Sequence, residues 1–329
     1  MWAVKKNKTL IIKGTLSNIT EKGITIDGTT AKIQFQNLQV PCSSCSILNL
    51  ENGADVTLFL SGASSIEARN TEYRVNPAIH VPQGTRLTID GDDSLIAKNR
   101  FWAFTSNDCI AAVIGSKANS SSGEIIIQGG VIQVYPRKLG AAIGGGNGGA
   151  GNVKITGGTV EVYNYNGNFG LGAGAGDASG SRVVIDGGSV KTNAISAENF
   201  PQNSSGIKVY KTEVDLSETI GQNTFLTSGY VQGLSYGFDK VKTDSYGKIY
   251  LYLPENAGTK AVINDKTYEG SVTTSNNSVL TDINLTATNS NIAAYGAVLN
   301  VEVDKNGSTL FYAASNTPLT TGSEVENAI

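Results

Sequence analysis

Histidine is all but missing from this 329-residue chain, which has one, His80. That excludes any metal centre or acid–base pair built from two imidazoles of the chain. Methionine is also single, prolines number 7, and charged residues reach 16 % against a usual figure of about 25 %. A net charge of −3 offers phosphate backbones no electrostatic footprint, so nucleic acid is not an expected partner. No apolar run reaches the roughly 18 residues of a membrane span, so membrane insertion is not expected either. Residues 1–8 (MWAVKKNK) are basic but lead into no apolar stretch, and they do not read as a signal peptide. Three cysteines cannot close a disulfide set. Cys42 and Cys45 have the spacing of a redox motif or half a zinc site, but no second such pair and no neighbouring His supports zinc. A turn with free thiols or a local disulfide is the expected state there. No metal and no cofactor are expected.

What the chain has in excess is glycine, 39 residues or about 12 % where roughly 7 % is usual. Short strand-like runs lead into a glycine at 24–28 (ITIDG), 56–62 (VTLFLSG), 87–91 (LTIDG), 125–130 (IIIQGG), 153–158 (VKITGG) and 183–188 (VVIDGG). The anchors Gly28, Gly62, Gly91, Gly129, Gly157 and Gly187 are separated by 34, 29, 38, 28 and 30 residues. A second run follows most anchors, at 65–68, 94–97, 131–134, 159–162 and 189–192. A third closes the unit at 78–81, 111–115, 141–144 and 170–172. Three short strands in a unit of about 29 residues, repeated, predict a coil of stacked parallel strands. A propeller blade would need about 40–45 residues per repeat. The expected fold is all-β: a right-handed parallel β-helix over 1–205. A β-rich cap or small β domain over 206–329 follows, where the period stops and Tyr-rich strands such as 248–254 (KIYLYLP) take over. The signal at 304–307 (DKNG) predicts a hairpin between 297–303 and 308–313.

The run 140–146 (GAAIGGG) followed by 153–160 (VKITGGTV) resembles a repeat family of bacterial surface and adhesin-like proteins, many of them gut bacterial and described only as carbohydrate-binding. Residues 78–85 (AIHVPQGT) with 87–89 (LTI) are similar to the lead-in of those repeats. The segment from 235–238 (SYGF) to 250–254 (YLYLP) resembles what often follows them. The resemblance spans about residues 10 to 275. It implies a cell-surface or secreted β-helix and brings no shared catalytic residues.

Candidate sites are few. Gly144, Gly146 and Gly149 satisfy G-x-G-x-x-G, but a dinucleotide site needs a helix after the motif to hold pyrophosphate, and a strand follows here. Tyr135 and Tyr163 both lie six residues after their anchor glycines, so their rings are expected to stack at the rung pitch of about 4.8 Å. With Tyr165, Asn166 and Phe169 nearby they form a candidate ligand-binding platform, because a sugar stacks its CH face on a ring and gives its hydroxyls to amides. The competing reading is a purely structural stack. Trp102, inside the longest unit, is a further ligand-binding candidate on a loop leaving the coil, or else a plug over it. Asp90, Asp92 and Asp93 are the densest carboxylates and the least unsuitable catalytic candidates, since inverting glycoside hydrolysis needs two carboxyls about 6.5–9.5 Å apart. Ordinary turn chemistry explains them more simply. Asp27, Asp90 and Asp186 each precede an anchor and are expected to occupy equivalent places. His80 in its apolar strand reads as hydrogen-bonded structure.

The leading expectation is a non-enzymatic, extracellular, adhesin-like surface protein whose partner is a polysaccharide or glycan. The alternatives are a polysaccharide hydrolase or lyase, and a phage tail-fibre or spike component, the last implying a trimer in a virion.

Overall fold

The computed structural model describes residues 9–15, 22–43, 45–70, 76–91, 94–101, 110–136, 139–163, 169–176, 178–282, 285–293 and 296–303. All regular elements among them are strands. Two compact units are present, Met1–Thr281 and Asp282–Ile329.

The first unit is built on a parallel β-helix with three strands per turn of the coil, as the repeat predicts. The first row of strands comprises Asp55–Ser61, Arg86–Gly91, Glu124–Ile127, Asn152–Ile155 and Arg182–Ile185. The second comprises Ser64–Asn70, Ser94–Phe101, Val131–Tyr135, Thr159–Val162 and Ser189–Lys191. One long strand, Thr30–Ser43, serves both rows at the amino-terminal end, and Thr9–Thr15 pairs with it in parallel. The third row runs from Ile24–Asp27 through Leu48–Glu51, Ile79–His80, Ile114–Gly115, Ile143–Gly144 and Leu171–Gly172 to Ile195–Ser196.

Alternation turns one side chain in two into the coil, and in-register stacking converts that into continuous aliphatic ladders. Ile33, Leu58, Ile89, Ile127, Ile155 and Ile185 form one, each fully buried. Each such side chain withdrawn from water contributes roughly 1.5–3 kcal/mol, and no single turn of the coil could bury it alone. Glycine ends the third-row strands for a steric reason. Gly115, Gly144 and Gly172 have φ of 145°, 134° and 99°, and a Cβ on Gly144 would lie 2.1 Å from the carbonyl oxygen of Gly172 on the next turn.

One assignment from the repeat needs correction. The ITIDG run at 24–28 is a third-row strand, paired with Leu48–Glu51, and is not the first member of the first row. Thr30–Ser43 takes that place, and its corner is Asn37 at φ 48° rather than a glycine. Asp27 therefore does not share a row with Asp90 and Asp186; its carboxylate accepts from Asn52 Nδ2 at 2.6 Å. Likewise Phe59, not Ser61, is in register with Asp90.

Residues 210–281 add a six-stranded mixed sheet with its own core of Val214, Leu216, Ile249, Leu251, Ile263 and Tyr268. In it Lys248–Leu253 lies antiparallel to Tyr210–Asp215. This sheet and the segments leading into it join the coil at several places. Tyr250 N donates to Ser189 Oγ at 2.9 Å, seating Lys248–Leu253 on the last second-row strand. Segment 236–240 then runs along the corner between the first two rows. Tyr236 Oη donates to Gly188 O, Gly188 N to Gly237 O, Gly158 N to Asp239 O, and Lys240 pairs with Asp90 at 2.9 Å.

In the second unit the described residues form an antiparallel hairpin, Leu285–Ala293 with Gly296–Val303. The expected partner strand at 308–313 lies outside the described residues.

Candidate functional site

The outer face of the second row carries the aromatic pair. Stacking places Gln133, Glu161 and Lys191 in one register row. Two residues beyond Gln133 and Glu161 come Tyr135 and Tyr163, with Tyr163 N continuing the ladder to Val134 O at 2.9 Å. Their rings stack with centroids 4.7 Å apart and planes 7° from parallel. This is the spacing of adjacent strands, so the coil itself sets the pair.

The hydroxyl of Tyr163 donates to Glu161 Oε2 at 2.6 Å, and Gln133 Nε2 donates to the same oxygen at 2.8 Å. Burial and the Glu161 carboxylate both push the Tyr163 phenol well above its ordinary pKa, so it stays a donor at all working pH values. Glu161 is buried, yet Tyr163 remains 36 % exposed, which leaves ring surface open to solvent.

The added sheet completes this face with residues that periodicity could not anticipate. Lys191 Nζ pairs with Asp244 Oδ2 at 2.6 Å and lies 5.2 Å from the centroid of the Tyr246 ring. Asp244 is buried and also accepts from Tyr246 N, Lys248 N and Tyr250 Oη. Burial alone would raise its pKa, but Lys191 and the two backbone N–H groups outweigh burial and hold the carboxyl below the usual carboxylate range. Tyr246 is 66 % exposed. The Asp-Ser-Tyr-Gly sequence around it reads locally as a turn, and its meeting with Lys191 is visible only in three dimensions.

The other candidates from sequence are distributed as follows. Asp90 is held by Lys240 and by the N–H of Gly91, so its carboxylate fixes segment 236–240 to the coil. Asp92, Asp93, Trp102, Tyr165 and Asn166 lie outside the described residues. Phe169 is half-buried just before its third-row strand, where its carbonyl accepts from Ala142 N at 2.9 Å. The Gly144–Gly149 match to the dinucleotide motif is a turn that stacks on its neighbours and leads into the strand Asn152–Ile155. Cys42 and Cys45 form a disulfide, with Cα atoms 5.7 Å apart. Among the described residues no three His, Cys, Asp or Glu side chains come together as a metal site, and no helix is long and apolar enough to cross a membrane.

His80 hydrogen-bonds through Nδ1 to Asn49 Oδ1 at 2.6 Å, and Asn49 Nδ2 donates in turn to Glu51 Oε1. The Asn49 oxygen is therefore an acceptor, which places a proton on Nδ1 of a neutral ring. Burial, with a smaller contribution from Lys117, lowers the His80 pKa from 6.5 to about 4. A depressed histidine means that the unfolded chain binds the extra proton between these values, so stability rises with pH across that window. Acidifying from pH 6.5 to 4 is expected to cost about 2 kcal/mol from this residue, after allowing for solvent screening. His80→Gln should flatten that part of the stability profile in urea melts; an unchanged profile would place the acid sensitivity elsewhere.

No protein-family model, curated protein or solved structure matches the chain. The fold and the face on it define a parallel β-solenoid with a tyrosine-and-lysine surface at its carboxy-terminal end.

Proposed function

We propose that this protein is a non-enzymatic, glycan-binding β-solenoid that works outside the cell, at a bacterial surface. The observation that carries the reading is the Tyr135–Tyr163 stack. Two phenol rings set parallel by the coil, one held at its hydroxyl by Glu161, present a rigid apolar edge bordered by Gln133 and Lys191. Such a surface suits a pyranose, which offers a CH face to rings and hydroxyls to directional donors and acceptors. Tyr246 adds a further ring, itself exposed, across Lys191 from the half-buried Tyr135 and the exposed Tyr163. The engagement of Asp90 by Lys240 and of His80 by Asn49 supports a binding role over hydrolysis, because both groups have structural partners. The Cys42–Cys45 disulfide supports an oxidising compartment.

The test is a glycan array probed with the full chain and with the double variant Tyr135→Ala/Tyr163→Ala. Loss of the pair is expected to weaken binding about tenfold, the equivalent of about 1.4 kcal/mol, with an unchanged circular dichroism spectrum. Equal binding by a folded double variant would sink the platform.

A further inference from the structure

A second surface feature lies on a different corner of the coil, where each third-row strand turns into the next first-row strand. It is an open groove of about 710 Å³ running along the coil axis, and its lining comes from five successive turns. The first residue of each first-row strand lines it. In register these are Asp55, Arg86, Glu124, Asn152 and Arg182.

Resting on the glycan-binding reading, we infer that this groove holds a linear, uncharged polysaccharide, laid parallel to the coil axis. Three observations favour that chemistry. The ladder presents guanidinium, carboxylate and amide groups, planar and bidentate, which match pairs of neighbouring hydroxyls. Its charges cancel, two of each sign, and Arg86 is already paired with Glu124 at 2.7 Å and Asp55 at 3.5 Å. A polyanion would meet the carboxylates of Asp55 and Glu124, so nucleic acids and acidic glycans fit poorly. The repeat also discriminates. Rungs advance about 4.8 Å, close to one sugar unit of an extended chain, whereas an extended peptide advances about 3.3 Å per residue and drifts out of step.

Two of the polar groups have nothing else to do. The side chains of Asn152 and Arg182 make no ion pair or hydrogen bond among the described residues, and the backbone N–H of Asn152 is satisfied by Ser122 Oγ. The ladder covers four rung steps, roughly 19 Å, so binding should strengthen with oligosaccharide length up to four or five units and then level off.

The experiment is affinity electrophoresis of the full chain through gels cast with xylan, mixed-linkage β-glucan, galactomannan or polygalacturonate. At least one neutral polymer is expected to retard the parent chain, and polygalacturonate is not. Arg86→Ala removes the second of the five ladder residues, the one paired with both carboxylates. Gln83→Trp, at an exposed lining position, fills the groove while removing no ladder residue. Each should weaken retardation at least tenfold while urea midpoints stay unchanged. The Tyr135→Ala/Tyr163→Ala chain separates the two surfaces. If only the tyrosine variant loses binding, the groove is overturned and the platform stands. If the groove variants lose it, with or without the tyrosine variant, the groove is supported. No retardation of the parent by any neutral polymer overturns the groove and leaves the platform to its array test, and preference for polygalacturonate also overturns the groove.

Discussion

Gly144→Ala is expected to destabilise the coil by about 4 kcal/mol, more than any surface change and comparable to emptying a core position. Two costs combine. The backbone sits at φ 134°, which L side chains rarely adopt, and the new Cβ would lie 2.1 Å from Gly172 O. That oxygen belongs to the next turn of the coil and accepts from Gly145 N, so it cannot retreat without breaking the ladder. The comparison is Gly84→Ala. Gly84 also has positive φ, 85°, but its Cβ would meet nothing within 4 Å. Only the conformational cost remains there, about 1–2 kcal/mol. Equilibrium urea unfolding of both variants distinguishes the effects; equal midpoints would show that close approach of successive turns is not what selects glycine.

The second large effect is expected at Asp244. Its carboxylate is buried and collects Lys191 Nζ, Tyr250 Oη and the N–H groups of Tyr246 and Lys248. Asp244→Ala strands these donors and leaves Lys191 without its counter-charge, at a cost of about 3 kcal/mol. Because Lys191 belongs to the coil and Asp244 to the added sheet, the loss should also appear as faster proteolysis within 206–281. Replacing Lys191 as well should recover only the share that belongs to its lost counter-charge, since the N–H groups of Tyr246 and Lys248 and the Tyr250 hydroxyl still lack their acceptor. The pH dependence has a definite sign. Asp244 titrates below an ordinary carboxyl, so its contribution is complete above the unfolded-state value and is lost as pH falls through the folded-state value. Asp244→Asn should remove that acid-dependent loss. Retained acid sensitivity and wild-type proteolysis would mean that the pair does not hold the sheet to the coil.

Much of this architecture is legible in the sequence because a solenoid writes its geometry as spacing. Strands in register recur at the same offset from a glycine, and Tyr135 and Tyr163 could be paired on that ground alone. The error at 24–28 has the same origin. ITIDG and LTIDG share their alternation, and alternation does not say which row a strand joins. Row membership is decided by turn length, and Asn37 hides the true first corner by adopting a left-handed conformation without glycine. Lys191 with Asp244, and Lys240 with Asp90, were out of reach for another reason. They join positions 53 and 150 residues apart through a sheet that has no repeat to reveal it.

The segment that runs along the corner between the first two rows has a consequence for how such a chain can change in length. A plain solenoid can gain or lose a repeat by slippage, since every turn is docked only to its neighbours. Here Gly237 bonds with Asp186 and Gly188, Asp239 with Gly158, and Lys240 reaches back to Asp90. The segment meets the turns at fixed intervals, with the long lysine side chain reaching the farthest one. Adding or removing a turn between Asp90 and Gly188 would leave its two ends unable to match at once. The segment acts as a gauge, fixing the number of turns between those points.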